Sequence, residues 1–129
     1  MQPKNDSAKS KNMQSFDISI WRRASIARCH AMERQRLQTV DQVNQAIEEL
    51  NRIYQWEDIY LFGSITKPEQ FSKRSDIDIG IQGLDKLLHY QFTADLSGLL
   101  EREVDVVRLE DCSFTETIKK RGIRWKKPK

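Results

Sequence analysis

Residues 62–81 read FGSITKPEQFSKRSDIDIGI. The stretch opens on the end of an apolar run, crosses a polar loop and closes in Asp76-Ile77-Asp78-Ile79-Gly80-Ile81. Alternate side chains of a strand point to opposite faces, so the three isoleucines share a face that packs on helices, while Asp76, Asp78 and Gly80 share the other. Two carboxylates then stand side by side on one surface, about 6.5–7 Å apart by the rise per residue. At that spacing both can reach one divalent ion, or two bridged ions. The device recurs downstream, where Val104 and Val106 flank Asp105 in another apolar segment. Anions gathered in a partly buried place are costly unless a cation offsets them, and oxygen-only ligands favour a hard one such as Mg²⁺ or Mn²⁺.

At the other end of the stretch, Gly63-Ser64 follows directly on the apolar run 58–62. Glycine lets the backbone turn sharply and approach a ligand closely, and the amide and hydroxyl after it can donate to phosphate oxygens. A divalent cation beside a phosphate cradle implies a nucleoside triphosphate. Lys67, Lys73 and Arg74 lie in the intervening loop. They are candidates to neutralise the triphosphate, weighed equally against the ordinary solvation of an exposed loop.

Working outward, three short segments rich in Ile, Val or aromatic residues predict strands at residues 58–62, 76–82 and 104–109. Val40, Val43, Ile47, Leu50 and Ile53 predict an amphipathic helix over residues 38–54, capped by Thr39 or Asp41. Leu87, Leu88, Phe92, Leu96, Leu99 and Leu100 predict a second over residues 84–100. A last helix is expected at residues 114–121, ended by Gly122, with Trp125 as a late anchor. Residues 18–62 contain neither Gly nor Pro, so one long helix or two consecutive ones precede the first strand. Residues 1–15 are polar and include Pro3, and are expected to form a flexible tail. The element order is that of an α/β fold, a small sheet with helices packed on it.

A chain of 129 residues with 38% apolar content supports one core. Its net charge of +3 is too small to argue for nucleic-acid binding by itself. Basic residues do crowd the C-terminus, from Lys119 to Lys129, and a second cluster (Arg22, Arg23, Arg28, Arg34, Arg36) lies in the N-terminal third. Cys29 and Cys112 sit in no metal-ligand spacing, which predicts free thiols in a reducing compartment. No stretch approaches the roughly 20 apolar residues of a membrane span, and the N-terminus has no apolar signal region, so a cytoplasmic location without membrane contact is expected.

The combination LFGS, SDIDI and EVDVV resembles the catalytic signature of the DNA polymerase beta-type nucleotidyltransferases. The small size is most similar to the minimal nucleotidyltransferases that act as antitoxins beside HEPN-domain toxins. The resemblance covers residues 38–125, leaving residues 16–37 as a helical extension and 126–129 as a basic tail. It implies a small mixed β-sheet flanked by helices. It also implies that Gly63 and Ser64 hold the triphosphate, that Asp76, Asp78 and Asp105 coordinate metal, and that Asp105 helps to activate the attacking hydroxyl. The implied reaction moves AMP from ATP to an acceptor hydroxyl, which in the toxin-neutralising members is a tyrosine of the toxin. Eleven residues separate Ser64 from Asp76, one more than is commonest in the family, and Pro68 stands where many members carry a second glycine.

Two other functions compete with this reading. One is a non-catalytic module that masks a toxin; the other is a nucleotidyltransferase acting on RNA, contacted through the basic tail. A homo-oligomer is compatible with all of them. Arg23 and His30 stand at the spacing of a HEPN ribonuclease motif, but the helical bundle that motif needs is not supplied by the rest of the chain. His89 is expected as a helix-surface or boundary residue, and Trp21, Trp56 and Trp125 as packing anchors rather than base-stacking platforms.

Overall fold

The computed structural model describes the backbone of residues 2–127 and the side chains of residues 18–127. A long helix, α1 (Gln2–Leu50), leads into a four-stranded sheet. Then come β1 (Asp58–Phe62), β2 (Ile77–Gln82), α2 (His89–Leu100), β3 (Val104–Arg108), α3 (Thr115–Arg121) and β4 (Ile123–Arg124). The strand order is β3-β2-β1-β4. β1 runs antiparallel to both β2 and β4, whereas β2 and β3 are parallel, with α2 as their crossover. This is the mixed sheet with flanking helices that the resemblance implies.

Only one face of the sheet carries the main core. Ile59 and Leu61 of β1, Ile77, Ile79 and Ile81 of β2, and Val104 and Val106 of β3 are buried on it. Val43, Ile47 and Leu50 of α1 and Phe92 and Leu96 of α2 cover them. Trp56 packs edge-on to both Phe92 and Trp125, and the Trp125 amide donates to the Ile59 carbonyl at 2.9 Å, so Trp125 is the anchor the sequence predicts. On the opposite face a smaller cluster of Tyr60, Leu109 and Ile118 covers only part of the sheet. There a side chain at Gly80 would collide with Leu109, so the close seating of α3 and the preceding turn requires glycine.

Several expectations are corrected. The backbone of α1 begins at Gln2, with Pro3 in the first turn, where a missing amide breaks no helical bond. Met1 and residues 128–129, part of the expected tails, lie outside the described residues. Thr39 is no cap: it is buried inside α1 and its hydroxyl donates back to the Gln35 carbonyl at 2.8 Å. The helix ends at Leu50, which leaves Ile53 in a turn and 71% exposed. Trp21 is exposed on α1 and anchors nothing among the described residues. His89 is the boundary residue expected, half-buried at the start of α2 with its Nε2 bonded to the Val106 carbonyl at 2.7 Å. Both cysteines are free, and no helix among the described residues is long and apolar enough to cross a membrane.

Candidate active site

The uncovered part of the second sheet face holds the carboxylates. β1, β2 and β3 place Phe62, Asp78 and Asp105 in one row, Phe62 opposite Asp78 and Asp78 opposite Asp105. Neighbouring strands lie about 4.8 Å apart, so the two aspartates are adjacent by construction of the parallel pair. Asp76 precedes β2 by one residue and is exposed, as is Asp105, whereas Asp78 is half-buried between them. Burial, then the charge of Asp105, then that of Asp76 push the Asp78 carboxyl above its ordinary range. The three aspartates selected from the sequence therefore act on one another.

Gly63 completes this corner. β1 ends at Phe62, and Gly63 turns the chain with φ +78° into a short 3₁₀ turn, Gly63–Thr66. A side chain at Gly63 would overlap Asp78 Oδ2, so the turn lies directly against the carboxylate. The Thr66 hydroxyl donates to the Gly63 carbonyl at 2.7 Å and holds the turn closed, while Ile65 is buried beneath it. Ser64 is half-exposed on the same turn. Across the row, Phe62 meets Phe114 edge-on at 6.1 Å, forming an apolar wall that the sequence signals only through the alternation of Tyr60 and Phe62.

Lys73 and Arg74 are not gathered into this corner. Lys73 lines a cleft with Gln35, Thr39, Gln42 and Arg102, beside the helices that cover the main core. Arg74 is exposed, its amide bonded to the Ser72 hydroxyl at 3.3 Å. Two arginines missed by sequence reasoning do brace the loop. Arg36 of α1 donates to the Ile65 carbonyl at 2.9 Å, and Arg102 donates to the carbonyls of Ser75 at 3.0 Å and Ser72.

Among the described residues, no three acidic, histidine or cysteine side chains stand together at coordinating distance. The donors are nevertheless all oxygen, with Asp78 and Asp105 in register on adjacent strands, a chemistry that suits a hard divalent cation. Burial, with the charges of Asp105 and Asp76 beside it, holds the Asp78 carboxyl above its ordinary range, a cost that a bound cation would offset. Asp76 and Asp105 are exposed.

A mixed sheet with a glycine turn pressed against paired strand carboxylates defines a nucleotidyltransferase class of fold. The chain matches the family model "Polymerase beta, Nucleotidyltransferase" over residues 44–125, more than half its length, and belongs to that family. No curated protein matches it. Among solved structures it is similar to a toxin–antitoxin crystallised with AMP-PNP, at 27% identity and a TM-score of 0.55, over 67% of this chain and 74% of that one. It is also similar to the MntA–HepT toxin–antitoxin, at 26% identity and a TM-score of 0.50, over 67% of this chain and 71% of that one.

Proposed function

We propose that the chain transfers AMP from ATP to a hydroxyl of a partner protein, most simply a tyrosine of a HEPN-type toxin, and acts as its antitoxin. The observation that carries this reading is the in-register Asp78–Asp105 pair beside the left-handed turn at Gly63, with Asp78 half-buried among the carboxylates. A module that only masks a partner gains nothing from such a cluster. The AMP-PNP bound by one similar toxin–antitoxin supports ATP as the donor. Because Asp76 and Asp105 are exposed, the site suits a bulky acceptor presented from outside better than a small molecule that must be enclosed.

In the proposed reaction the acceptor oxygen attacks the α-phosphorus of ATP. The bond from that phosphorus to the bridging oxygen breaks, and pyrophosphate leaves. Asp76, Asp78 and Asp105 would hold Mg²⁺ or Mn²⁺, which when bound lowers the pKa of the attacking hydroxyl and stabilises the leaving pyrophosphate. The Ser64 amide and hydroxyl bind the phosphate oxygens, and Gly63 lets the backbone come close enough for them to do so. The Asp105 carboxylate takes the hydroxyl proton as general base. Lys73 and Arg74 add positive charge on the loop and steer the triphosphate from a distance.

The test is incubation with α-labelled ATP and Mg²⁺, with and without the candidate partner. Label is expected on the partner with the native chain and none with the Asp76→Asn/Asp78→Asn variant. Tight partner binding without label from either would sink the enzymatic reading and leave masking in its place. Label on RNA instead would identify the acceptor as nucleic acid.

A further inference from the structure

The segment between Ser64 and Asp76 is tied at both ends by arginines that reach it from outside. Arg36 sits on α1 with its side chain only 12% exposed. Its Nε and Nη2 grip the Glu33 carboxylate at 3.0 and 2.6 Å, and Nη1 donates to the Ile65 carbonyl at 2.9 Å. A two-pronged carboxylate pair fixes the plane of a guanidinium, so the third bond sets the position of the Gly63–Thr66 turn rather than merely meeting it. At the far end Arg102, on the connection into β3, lies 4.5 Å over the Phe71 ring. From there its Nε donates to the Ser75 carbonyl at 3.0 Å and Nη2 to that of Ser72. Ser75 immediately precedes Asp76.

We infer that Arg36 and Arg102 are positioning residues of the nucleotide site, Arg36 setting the Gly63–Ser64 turn and Arg102 setting Asp76. The inference rests on the nucleotide reading of that site. Both arginines act through main-chain carbonyls, so neither touches phosphate or metal. Exposed ion pairs contribute little on their own. The bond from Arg36 to Ile65 differs from these because it spans 29 residues and joins α1 to the turn. Residues 33–36 of α1, upstream of the boundary expected at residue 38, therefore belong to the functional unit.

The test compares Arg36→Ala, Arg36→Lys and Arg102→Ala with the native chain and with Arg28→Ala, an exposed arginine bonded to Ser25 one helical turn away. Amide exchange is read over residues 63–76 and over the strands, and affinity is measured for a fluorescent ATP analogue with Mn²⁺. Both alanine variants are expected to exchange faster in 63–76 while β1–β3 stay protected, and to bind the analogue about tenfold more weakly, the lower end of the loss that removing a supporting partner of a site brings. Lysine at position 36 keeps a donor for Ile65 and should recover part of both. Arg28→Ala should match the native chain. Unchanged affinity in the alanine variants overturns the positioning role, as does a loss of protection spread evenly over the sheet. A native chain that binds no analogue overturns the nucleotide reading and this inference with it, and that failure is visible before any variant is made.

Discussion

Asp78 sits where its charge is least favoured, half-buried and facing two other carboxylates. Its raised pKa means that the folded chain holds this proton to higher pH than the unfolded chain does. Its contribution to stability is therefore greatest below the ordinary carboxylate range and is lost as pH rises through the displaced value. Asp78→Asn removes the repulsion, so the metal-free variant should melt slightly later than the native chain at neutral pH, by no more than about 0.5 kcal/mol because solvent screens a half-exposed carboxylate, while transfer is abolished. Calorimetry against pH, in the presence of a chelator, checks the sign; an earlier melt would contradict it. Gly63 is bound by two separate constraints, its positive φ and its contact with Asp78. Gly63→Ala should cost at least about 1–2 kcal/mol and displace the carboxylate as well. A denaturant titration together with an ATP-binding assay separates those two effects.

Between elements, the junction of α1 and α2 depends on Tyr54, whose hydroxyl donates to Asp95 Oδ2 at 2.6 Å. Burial first, then the bond and charge of Asp95, push the phenol up to about 12. The protonated form is the one the fold favours, so this stabilisation is complete below about pH 10 and disappears as pH rises from 10 towards 12. Tyr54→Phe should cost about 1 kcal/mol at neutral pH and flatten the alkaline part of the stability profile. A variant as steep as the native chain above pH 10 would show that another group titrates there. The elements themselves were largely legible, since β-branched runs marked β1, β2 and β3 to within a residue or so. Thr39 misled because a capping residue type also tolerates the middle of a helix once its hydroxyl bonds backwards. β4 has two residues, too few to carry a period, and exists only because the chain leaving α3 meets the free edge of β1.

For the whole molecule, ligand linkage gives the broadest test. If the carboxylates and the glycine turn bind ATP with a divalent cation, the pair at a hundred times its Kd should stabilise the native fold by about 2.7 kcal/mol. The Asp76→Asn/Asp78→Asn variant should show no such rise in a melting curve, and an equal rise would place the ligand elsewhere. The carboxylate corner could be read from sequence because its members are strand residues whose facing follows from alternation. Arg36 and Arg102 could not: each looks like an ordinary surface cation until the chain folds and brings a distant carbonyl to it. Lys73 shows the converse, a charge near the motif in sequence that the fold carries to the helical side.

The parallel pairing of β2 with β3 also gives the site a history. Asp78 and Asp105 are 27 residues apart and come into register only after α2 has crossed over the sheet, one of the slow, non-local steps of a small α/β fold. The hairpin of β1 and β2 can form earlier, with Gly63 already beside Asp78 but with no third carboxylate. A chain still emerging from the ribosome thus lacks Asp105, and with it the complete carboxylate set, until β3 has been made and docked.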